Sequence, residues 1–393
     1  MTLRHAALAA VIILIALAFA VGMSCADPLP YLPSDMRIPD MTGTPLAPPN
    51  LVMTGGPLVM SNSPETIEGV YTAAALYRTT MSKDHFRVFF HHRNLTGKPI
   101  KIGIAITNPA SAKCSVDLFT GRNCQMLPGG CQSTVSSDPA TAGSIALKNW
   151  LQSKQDDRYL GSLAPGTTHY ILQDVGHEST VTGMYDFGIR AAVGSKDCPS
   201  VIVTVLACVD LPDDPTVVSV LQPDRSPEGW YRRGTFAHSD RVGRVECDVS
   251  GVSWLDIAGP PNGPHARLMG NEVEKAIDDP YGMNPGNYGV VYSLRLVIKN
   301  PTPDPVRTRC IISAAGGPSF SNIAVNQAYS ESGKLLDSYG SWVFKDFSLD
   351  PTQTADFRLD FSLPGGSNGA HRLYIWPGDD PDRNVVKSID LQL

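Results

Sequence analysis

The sequence predicts an all-β protein, with two immunoglobulin-like β-sandwich domains in tandem behind a signal peptide and a proline-rich stalk. Three observations predict this organisation: rows in which apolar and polar residues alternate, abundant turn-forming residues, and an internal repeat. Alternation with a period of two is typical of a half-buried strand. The 35 glycines and 32 prolines are dispersed over 393 residues, which favours many short strands joined by turns.

Residues 1–26 predict export. Arg4 precedes an apolar run that ends at Met23, and small side chains suited to a signal peptidase follow up to Ala26. Two alternatives stay open: an uncleaved N-terminal anchor, because the run approaches membrane-spanning length, and lipidation of Cys25. We therefore expect a protein that is secreted or held at the cell envelope, and that meets a membrane only through this segment.

Residues 27–64 predict an extended stalk. Prolines alternate there with small polar residues, so the segment cannot bury enough apolar surface to fold alone. The formal net charge of the whole chain is −6, without basic blocks, which argues against binding to nucleic acid or to anionic membrane surfaces.

The first sandwich is predicted over residues 65–212. Isoleucines occupy every second position from Ile100 to Ile106, and a shorter row runs from Phe86 to Phe90. The stretch from Ser144 to Lys154 predicts one short helix.

The second sandwich is predicted over residues 213–393, after a cluster of prolines and aspartates. Alternating rows at residues 290–298 and 355–363 predict two of its strands, and the stretch from Asn271 to Asp278 predicts another short helix. Strands with this spacing and turn content favour sandwiches or barrels over a parallel α/β sheet.

An internal repeat supports two related domains. Asn108 and Asn300 each precede a proline at the end of a predicted strand, 192 residues apart (300 − 108). Leu163 and Leu349 each introduce a proline-containing turn before the next strand, 186 residues apart (349 − 163). The two halves therefore keep a nearly common spacing.

The chain has eight cysteines, and in an exported protein disulfides are the default expectation. Cys247 and Cys310 form the only pair available within the second half, so they are the predicted disulfide. Cys198 and Cys208 flank a predicted strand that is too long to let them pair. The other spacings lack any C-x2-C unit, which disfavours zinc.

Four short motifs resemble, in the same order, those of a group of uncharacterised secreted bacterial proteins that are often described through an attached copper amine oxidase N-terminal-like domain. These motifs are Thr182–Phe187, Arg233–Phe236, Gly286–Val290 and Pro364–Asn368. The resemblance implies an envelope or surface role. Neither the attached domain nor a catalytic Tyr and His set is recognisable in the sequence, so the resemblance implies no oxidase chemistry.

Histidines and aspartates were considered as metal ligands. His85 and His91 share one face of a strand but lie about 20 Å apart, and His92 points the opposite way. We therefore expect an exposed strand face that carries His85, Arg87, His91 and Arg93.

No cofactor is predicted, although calcium at an acidic loop remains an alternative. Three loops are open to it: Asp213-Asp214, Asp278-Asp279 and Asp380-Pro381-Asp382. The last lacks the glycine and glutamate of an EF-hand, since Val385 and Leu391 stand at those positions.

Five residues are candidates for ligand binding, because they combine hydrogen-bonding or aromatic groups with loops, most of them glycine-rich. They are Trp230, Tyr288, Asn287, Ser367 and Asn368. The alternative is that the glycines beside them only turn the chain.

The leading functional hypothesis is a non-catalytic surface protein that binds a polysaccharide, a cell-wall component or an envelope partner. One alternative is a structural spacer or coat protein without a specific ligand. Another is a secreted hydrolase of glycoside hydrolase type, whose two carboxylates would converge only in the fold. An enzyme is the less favoured class, because the sequence contains no nucleophile elbow, zincin motif or phosphate-binding loop.

Overall fold

The chain folds into β-sheets, as a computed structural model shows for residues 38, 42–47, 49–69, 72–123, 133–192, 199–258, 275–331 and 335–378. The all-β prediction is confirmed: four sheets and one helix account for the regular structure of these residues. No helix in these ranges is long and apolar enough to cross a membrane. The predicted export signal and the loop at Asp380 lie outside the described residues.

We number the strands in chain order and call the eight-stranded sheet of the described residues sheet 1. Its neighbours run antiparallel, except that β3 and β4 run parallel to β6. In spatial order its strands are β10 (Lys154–Leu163), β8 (Val116–Asn123), β12 (Thr180–Ala191), β6 (His85–Asn94), β3 (Leu58–Ser61) and β14 (Arg233–Phe236), with β9 (Ser133–Ser136) against β12 and β4 (Thr66–Ile67) against β6.

Sheet 2 packs against one face of sheet 1. Its strands are all antiparallel, in the order β11 (Thr168–Val175), β7 (Ile100–Thr107), β13 (Val201–Cys208) and β5 (Ala73–Met81). The predicted isoleucine row of β7 is buried between the two sheets, together with Phe86, Val88 and Phe90 of β6. We call this cluster the first core.

Sheets 3 and 4 form the second pair. Sheet 3 has the order β2 (Val52–Thr54), β15 (Asp240–Asp248), β17 (Val291–Lys299), β22 (Thr354–Phe361), β19 (Asn322–Val325) and β20 (Ala328–Glu331), with β15 and β17 parallel. Sheet 4 has the order β1 (Thr44–Pro45), β16 (Ser253–Ile257), β23 (His371–Pro377), β18 (Val306–Ser313) and β21 (Ser341–Leu349), with β1 and β16 parallel.

The second core lies between sheets 3 and 4 and continues onto sheet 1. Leu294, Leu296 and Leu359 of the predicted rows are buried in it. The same cluster includes Phe89 and Met184, which point away from the first core. The face of sheet 1 that points away from sheet 2 therefore also packs against other parts of the protein.

The helix α1 (Pro139–Gln152) covers part of that face. Asp138 caps its N-terminus by accepting a hydrogen bond from the Thr141 amide at 2.8 Å, and Pro139 occupies the first turn. The sequence predicted the helix but placed its start five residues late, at Ser144. Of the second predicted helix, residues 271–274 lie outside the described residues, and Lys275 forms an isolated β-bridge with Met283.

The stalk prediction is wrong for the part of residues 27–64 that the structure describes. The Thr44 and Leu46 amides donate hydrogen bonds of 2.9 and 2.7 Å to the carbonyls of Val252 and Trp254, and β2 and β3 join sheets 3 and 1. Ile38 is fully buried. The composition of this segment predicted a stalk because the segment has little apolar surface of its own. Composition does not show that its backbone pairs with strands from distant parts of the chain.

The predicted boundary at residue 212 also moves. The Leu221 amide donates to the Ala75 carbonyl at 2.8 Å, and β14 pairs with β3, so the chain stays with sheets 1 and 2 as far as Phe236. The cluster of prolines and aspartates before it is a surface turn within that region.

Cys247 and Cys310 are both buried in the second core, one on sheet 3 and one on sheet 4. Both are free thiols in the structure, as are Cys114 and Cys208 among the described residues. The predicted disulfide is therefore absent from this structure.

Candidate functional site

Three of the five predicted ligand residues are buried and already partnered. The Tyr288 hydroxyl donates to the Ser367 carbonyl at 2.6 Å, and its ring stacks on Phe89 with 6.2 Å between centroids. Asn287 donates through Nδ2 to the Tyr292 hydroxyl at 2.5 Å. The Ser367 hydroxyl accepts from the Phe320 amide at 3.2 Å. Tyr288 thus joins sheet 1 to the second sheet pair, whereas Asn287 and Ser367 bond within the second half of the chain. None of the three side chains is accessible to a ligand.

The other two predicted residues lie closer to solvent. Asn368 is exposed but donates through Nδ2 to the Pro318 carbonyl at 3.0 Å. Trp230 is half-buried in a separate turn, where its carbonyl accepts from the Ser226 amide at 2.8 Å. The structure thus brings Tyr288 and Ser367 together, and places Trp230 in another loop.

The glycines beside Ser367 serve close packing. A Cβ on Gly143 of α1 would overlap the carbonyl oxygen of Gly365, and one on Gly365 would crowd the His91 ring. Gly366 has a φ of +71° and lies against the backbone of Pro139. These glycines let the helix approach the loop closely. The sequence-based alternative, in which the glycines only turn the chain, did not include this packing role.

The prediction of an exposed strand face on β6 holds fully only for His85, since Arg93 is half-buried. It is wrong for the other two residues. Arg87 and His91 are buried, because α1 and the second sheet pair cover this side of sheet 1. Burial lowers the pKa of His91 to about 3 and that of His92, on the opposite face, to about 4. Within the described ranges, no group of three or more His, Cys, Asp or Glu residues is placed to hold a metal ion.

The acidic loops considered for calcium use their carboxylates internally. Asp214 accepts from the amide and hydroxyl of Thr216 at 2.8 and 2.7 Å, and the hydroxyl bond is the main cause that lowers its pKa. Asp278 accepts from the Tyr77 hydroxyl and from the Thr235 amide at 3.0 Å. The Asp214 bonds close its own turn, and the Asp278 bonds tie its loop to β5 and β14.

A cleft of about 670 Å³ lies between sheets 1 and 3, which is a suitable size for a small ligand. The residues around it come from seven strands, from helix α1 and from the segments that connect strands, and only the fold brings them together. Sheet 1 and helix α1 contribute His85, Arg87, Trp150 and Asp186 to the lining. Sheet 3 and the segments that lead into it contribute Gly55, Ser239, Asp240, Ser293, Arg295, Asp356 and Arg358.

Arg87 forms the floor of the cleft. Its Nε donates to Asp186 at 2.6 Å, and its Nη1 donates to Asp240 at 2.9 Å and to the carbonyls of Ser239 and Gly289 at 2.8 and 3.1 Å. Its guanidinium lies 4.7 Å from the ring centroid of Trp150. Burial alone would lower the pKa of Arg87, but the two carboxylates raise it above its ordinary value. The buried guanidinium of Arg87 thus connects sheet 1 to sheet 3 and to the segment that leads into β15.

Sheet 3 supplies the opposite wall. Arg295 makes a bidentate ion pair with Asp356, at 2.9 Å from Nε and 2.5 Å from Nη2. Arg358 donates to Asp360 at 2.7 Å and to the Ser293 hydroxyl at 2.9 Å. The Arg295 hydrogen bond lowers the pKa of Asp356. This wall alternates cationic and anionic groups along exposed strand positions.

The charges of the cleft are balanced. Arg87, Arg295 and Arg358 face Asp186, Asp240 and Asp356, while the remaining lining includes hydroxyl and apolar groups. Hydrogen-bond donors and acceptors alternate over short distances, which suits ligands with adjacent hydroxyl groups.

A hydrolytic pair is less well matched by the same site. A glycosidase needs one protonated carboxyl group opposite one carboxylate. Here Asp186 and Asp240 are both ion-paired with the guanidinium of Arg87, at 2.6 and 2.9 Å, so they are held by one cation and do not face each other across a free gap.

No protein-family model matches this chain, and no curated protein matches it. Solved structures with some similarity include an anti-sigma factor domain-containing protein from Clostridium clariflavum, at 9% identity, with 75% of this chain and 79% of that chain covered and a TM-score of 0.17. An insecticidal delta-endotoxin from Bacillus thuringiensis is 11% identical over 72% of this chain and 54% of its own, with a TM-score of 0.17.

A multicopper oxidase from Campylobacter jejuni is 10% identical over 71% of this chain and 48% of its own, with a TM-score of 0.10. The chain thus spans about half the length of the last two proteins. TM-scores this low support no inference about function.

Proposed function

We propose that this chain is an exported, non-catalytic surface protein that binds a polysaccharide or another polyhydroxylated cell-wall component in the cleft between sheets 1 and 3. The export signal predicted from residues 1–26 supports the location. The two sheet pairs, with one core between sheets 1 and 2 and another between sheets 3 and 4, support two immunoglobulin-like sandwiches with the cleft at their junction.

The observation that carries this proposal is the balanced polar lining of a cleft of about 670 Å³. Paired guanidinium and carboxylate groups offer a donor next to an acceptor, so adjacent sugar hydroxyls can bind without a net charge on the ligand. Apolar surface in the same cleft, from Val242 and Phe357 among others, can contact the C–H faces of a sugar ring.

The test is calorimetric titration of the purified protein with soluble glucans, mannans, xylans and peptidoglycan fragments. Arg358→Met removes donors from the cleft wall, and we expect it to weaken binding about tenfold, the effect of one charged hydrogen bond. Arg244→Met is the matched control, because Arg244 is also on sheet 3 and ion-paired, with Glu246 at 2.6 Å, but does not line the cleft.

Equal affinities of the two variants would place the binding site elsewhere and overturn the cleft assignment. If no saccharide in the panel binds, the proposal fails and the structural spacer becomes the better hypothesis. Release of reducing ends from a polysaccharide during the titration would instead show that the protein is catalytic.

A further inference from the structure

The two sheet pairs have the same strand topology. Sheet 1 runs β14-β3-β6-β12-β8-β10, and sheet 3 runs β2-β15-β17-β22-β19-β20. The parallel pair falls at the same place, between β3 and β6 in one and between β15 and β17 in the other. Sheets 2 and 4 likewise correspond as β5-β13-β7-β11 and β16-β23-β18-β21. The chain is therefore a duplicated unit.

Matching asparagine corners fix the register of the duplication. Asn94 ends β6 and donates through Nδ2 to the Val175 carbonyl at 2.9 Å, while its Oδ1 accepts from Thr96. Asn300 immediately follows β17 and donates through Nδ2 to the Leu349 carbonyl at 2.9 Å, while its Oδ1 accepts from Thr302.

The equivalent of Asn300 is thus Asn94 and not Asn108, which the sequence repeat had paired with it. Asn108 makes a similar corner one strand later, where it donates to the Leu163 carbonyl at 2.8 Å. The sequence repeat detected a real corner, but it aligned Asn300 with the wrong corner of the first copy.

Each copy gives its first strands to the other. The first arm, residues 42–54, immediately precedes β3 of sheet 1, yet its β2 completes sheet 3 and its β1 completes sheet 4. The second arm, residues 219–236, immediately precedes β15 of sheet 3, yet its β14 completes sheet 1. The exchange is reciprocal.

Equivalent leucines anchor the two arms. The Leu46 amide donates to the Trp254 carbonyl at 2.7 Å, and its side chain packs on the second core. The Leu221 amide donates to the Ala75 carbonyl at 2.8 Å, and its side chain packs on the first core. The first arm thus makes on the second sheet pair the same contact that the second arm makes on the first sheet pair.

The two arms cross beside the cleft. The links that follow them are residues 55–57 and 237–239, and a Cβ on Gly55 would overlap the Ser239 hydroxyl. Arg87 binds the second link through the Ser239 carbonyl. The crossing point is therefore close-packed and leaves no space for a side chain at Gly55.

We propose that the edges of β15 and β16 form a strand-binding surface whose partner is the first arm, and that each sheet pair depends on the arm of the other copy for its stability. The pairing is mutual, because the second arm fits the edges of β3 and β5 in the same way. This inference is independent of the ligand.

Hydrogen–deuterium exchange of the full-length protein tests it. Leu46→Pro removes the amide that bonds Trp254, and we expect exchange of residues 240–257 to accelerate about tenfold, as for one lost hydrogen bond. The sequence-adjacent strands β3 and β6 should stay at the wild-type rate. Leu221→Pro should give the reciprocal pattern. We expect exchange to be faster in β5 and to stay at the wild-type rate in β15.

The alanine variants at both leucines keep the amide and control for loss of side-chain packing. If Leu46→Pro does not fold, Thr44→Pro removes only the bond to Val252 from an exposed residue, with Thr44→Ala as its control. Acceleration in the sequence-adjacent strands, with residues 240–257 unchanged, would overturn the proposal.

Discussion

Replacement of Arg87 by methionine tests whether the floor of the cleft holds the sheet pairs together. The change removes five donated hydrogen bonds, three to the carboxylates of Asp186 and Asp240 and two to backbone carbonyls. Methionine keeps most of the volume beside Trp150, so the loss is chiefly electrostatic.

The magnitude follows from burial. Removal of one partner from a buried ion pair typically costs about 3–5 kcal/mol, because the remaining charge has no counter-ion. The side chains of Asp186 and Asp240 are 21% and 30% exposed, so water recovers part of that energy. We therefore expect Arg87→Met to lower the free energy of unfolding by about 3 kcal/mol.

The assay is equilibrium unfolding in urea, followed by tryptophan fluorescence. Arg295→Met is the control, because that arginine pairs with Asp356 in solvent and should leave the unfolding midpoint nearly unchanged. A loss below about 1 kcal/mol for Arg87→Met, as for an exposed ion pair, would refute the reasoning.

Three further measurements test the packing and ionisation described above. Gly143→Ala should lower the unfolding free energy by about 1–3 kcal/mol through overlap with the facing loop, although glycine to alanine in a helix is ordinarily stabilising; Gly251→Ala, which faces open space, is the control. Stability should fall as pH decreases from 6.5 to about 4, because His92 is neutral when folded and protonates first in the unfolded chain, and His92→Gln should flatten this slope. The thiols of Cys247 and Cys310 should resist alkylation at pH 8 until the protein unfolds, because burial raises the pKa of Cys247 to about 11 and raises that of Cys310 further.

Each of these expectations has a result that contradicts it. A gain in stability on Gly143→Ala would mean that the helix does not approach the loop as closely as the structure has it. An unchanged pH slope in His92→Gln would exclude that ring as the titrating group. Mass spectrometry that finds the two cysteines unreactive even after unfolding without reductant would instead confirm the disulfide predicted from the sequence.

The strands that carry both cores were predictable because alternation records which residues face inward. The rows of β7, β17 and β22 were all recognisable, and the helix that contains Trp150 was predicted within a few residues. The same pattern says nothing about what covers the second face of a strand. His91 and Arg87 therefore looked like solvent-facing residues, although a helix and another sheet cover them.

The cleft could not be predicted for a related reason. Its charged residues lie between Arg87 and Arg358, on strands that no local signal brings together. The alternation of Asp356 and Arg358 on the polar face of β22 was visible in the sequence, but it equally describes a solvated surface. The sequence predicted ligand binding at the glycine-rich motifs instead, but their glycines serve close packing.

Helix α1 makes two equivalent sheets unequal in their tolerance of substitution. The first copy inserts this 14-residue helix, whereas the corresponding strands β19 and β20 are joined by only two residues, Asn326 and Gln327. Arg87 and Ser293 each stand seven residues before a corner asparagine, yet Arg87 is buried at the floor of the cleft and Ser293 is partly exposed on its wall. Substitutions on this face of sheet 1 therefore disturb the core, whereas the corresponding face of sheet 3 is a surface whose side chains can change with little effect on the core.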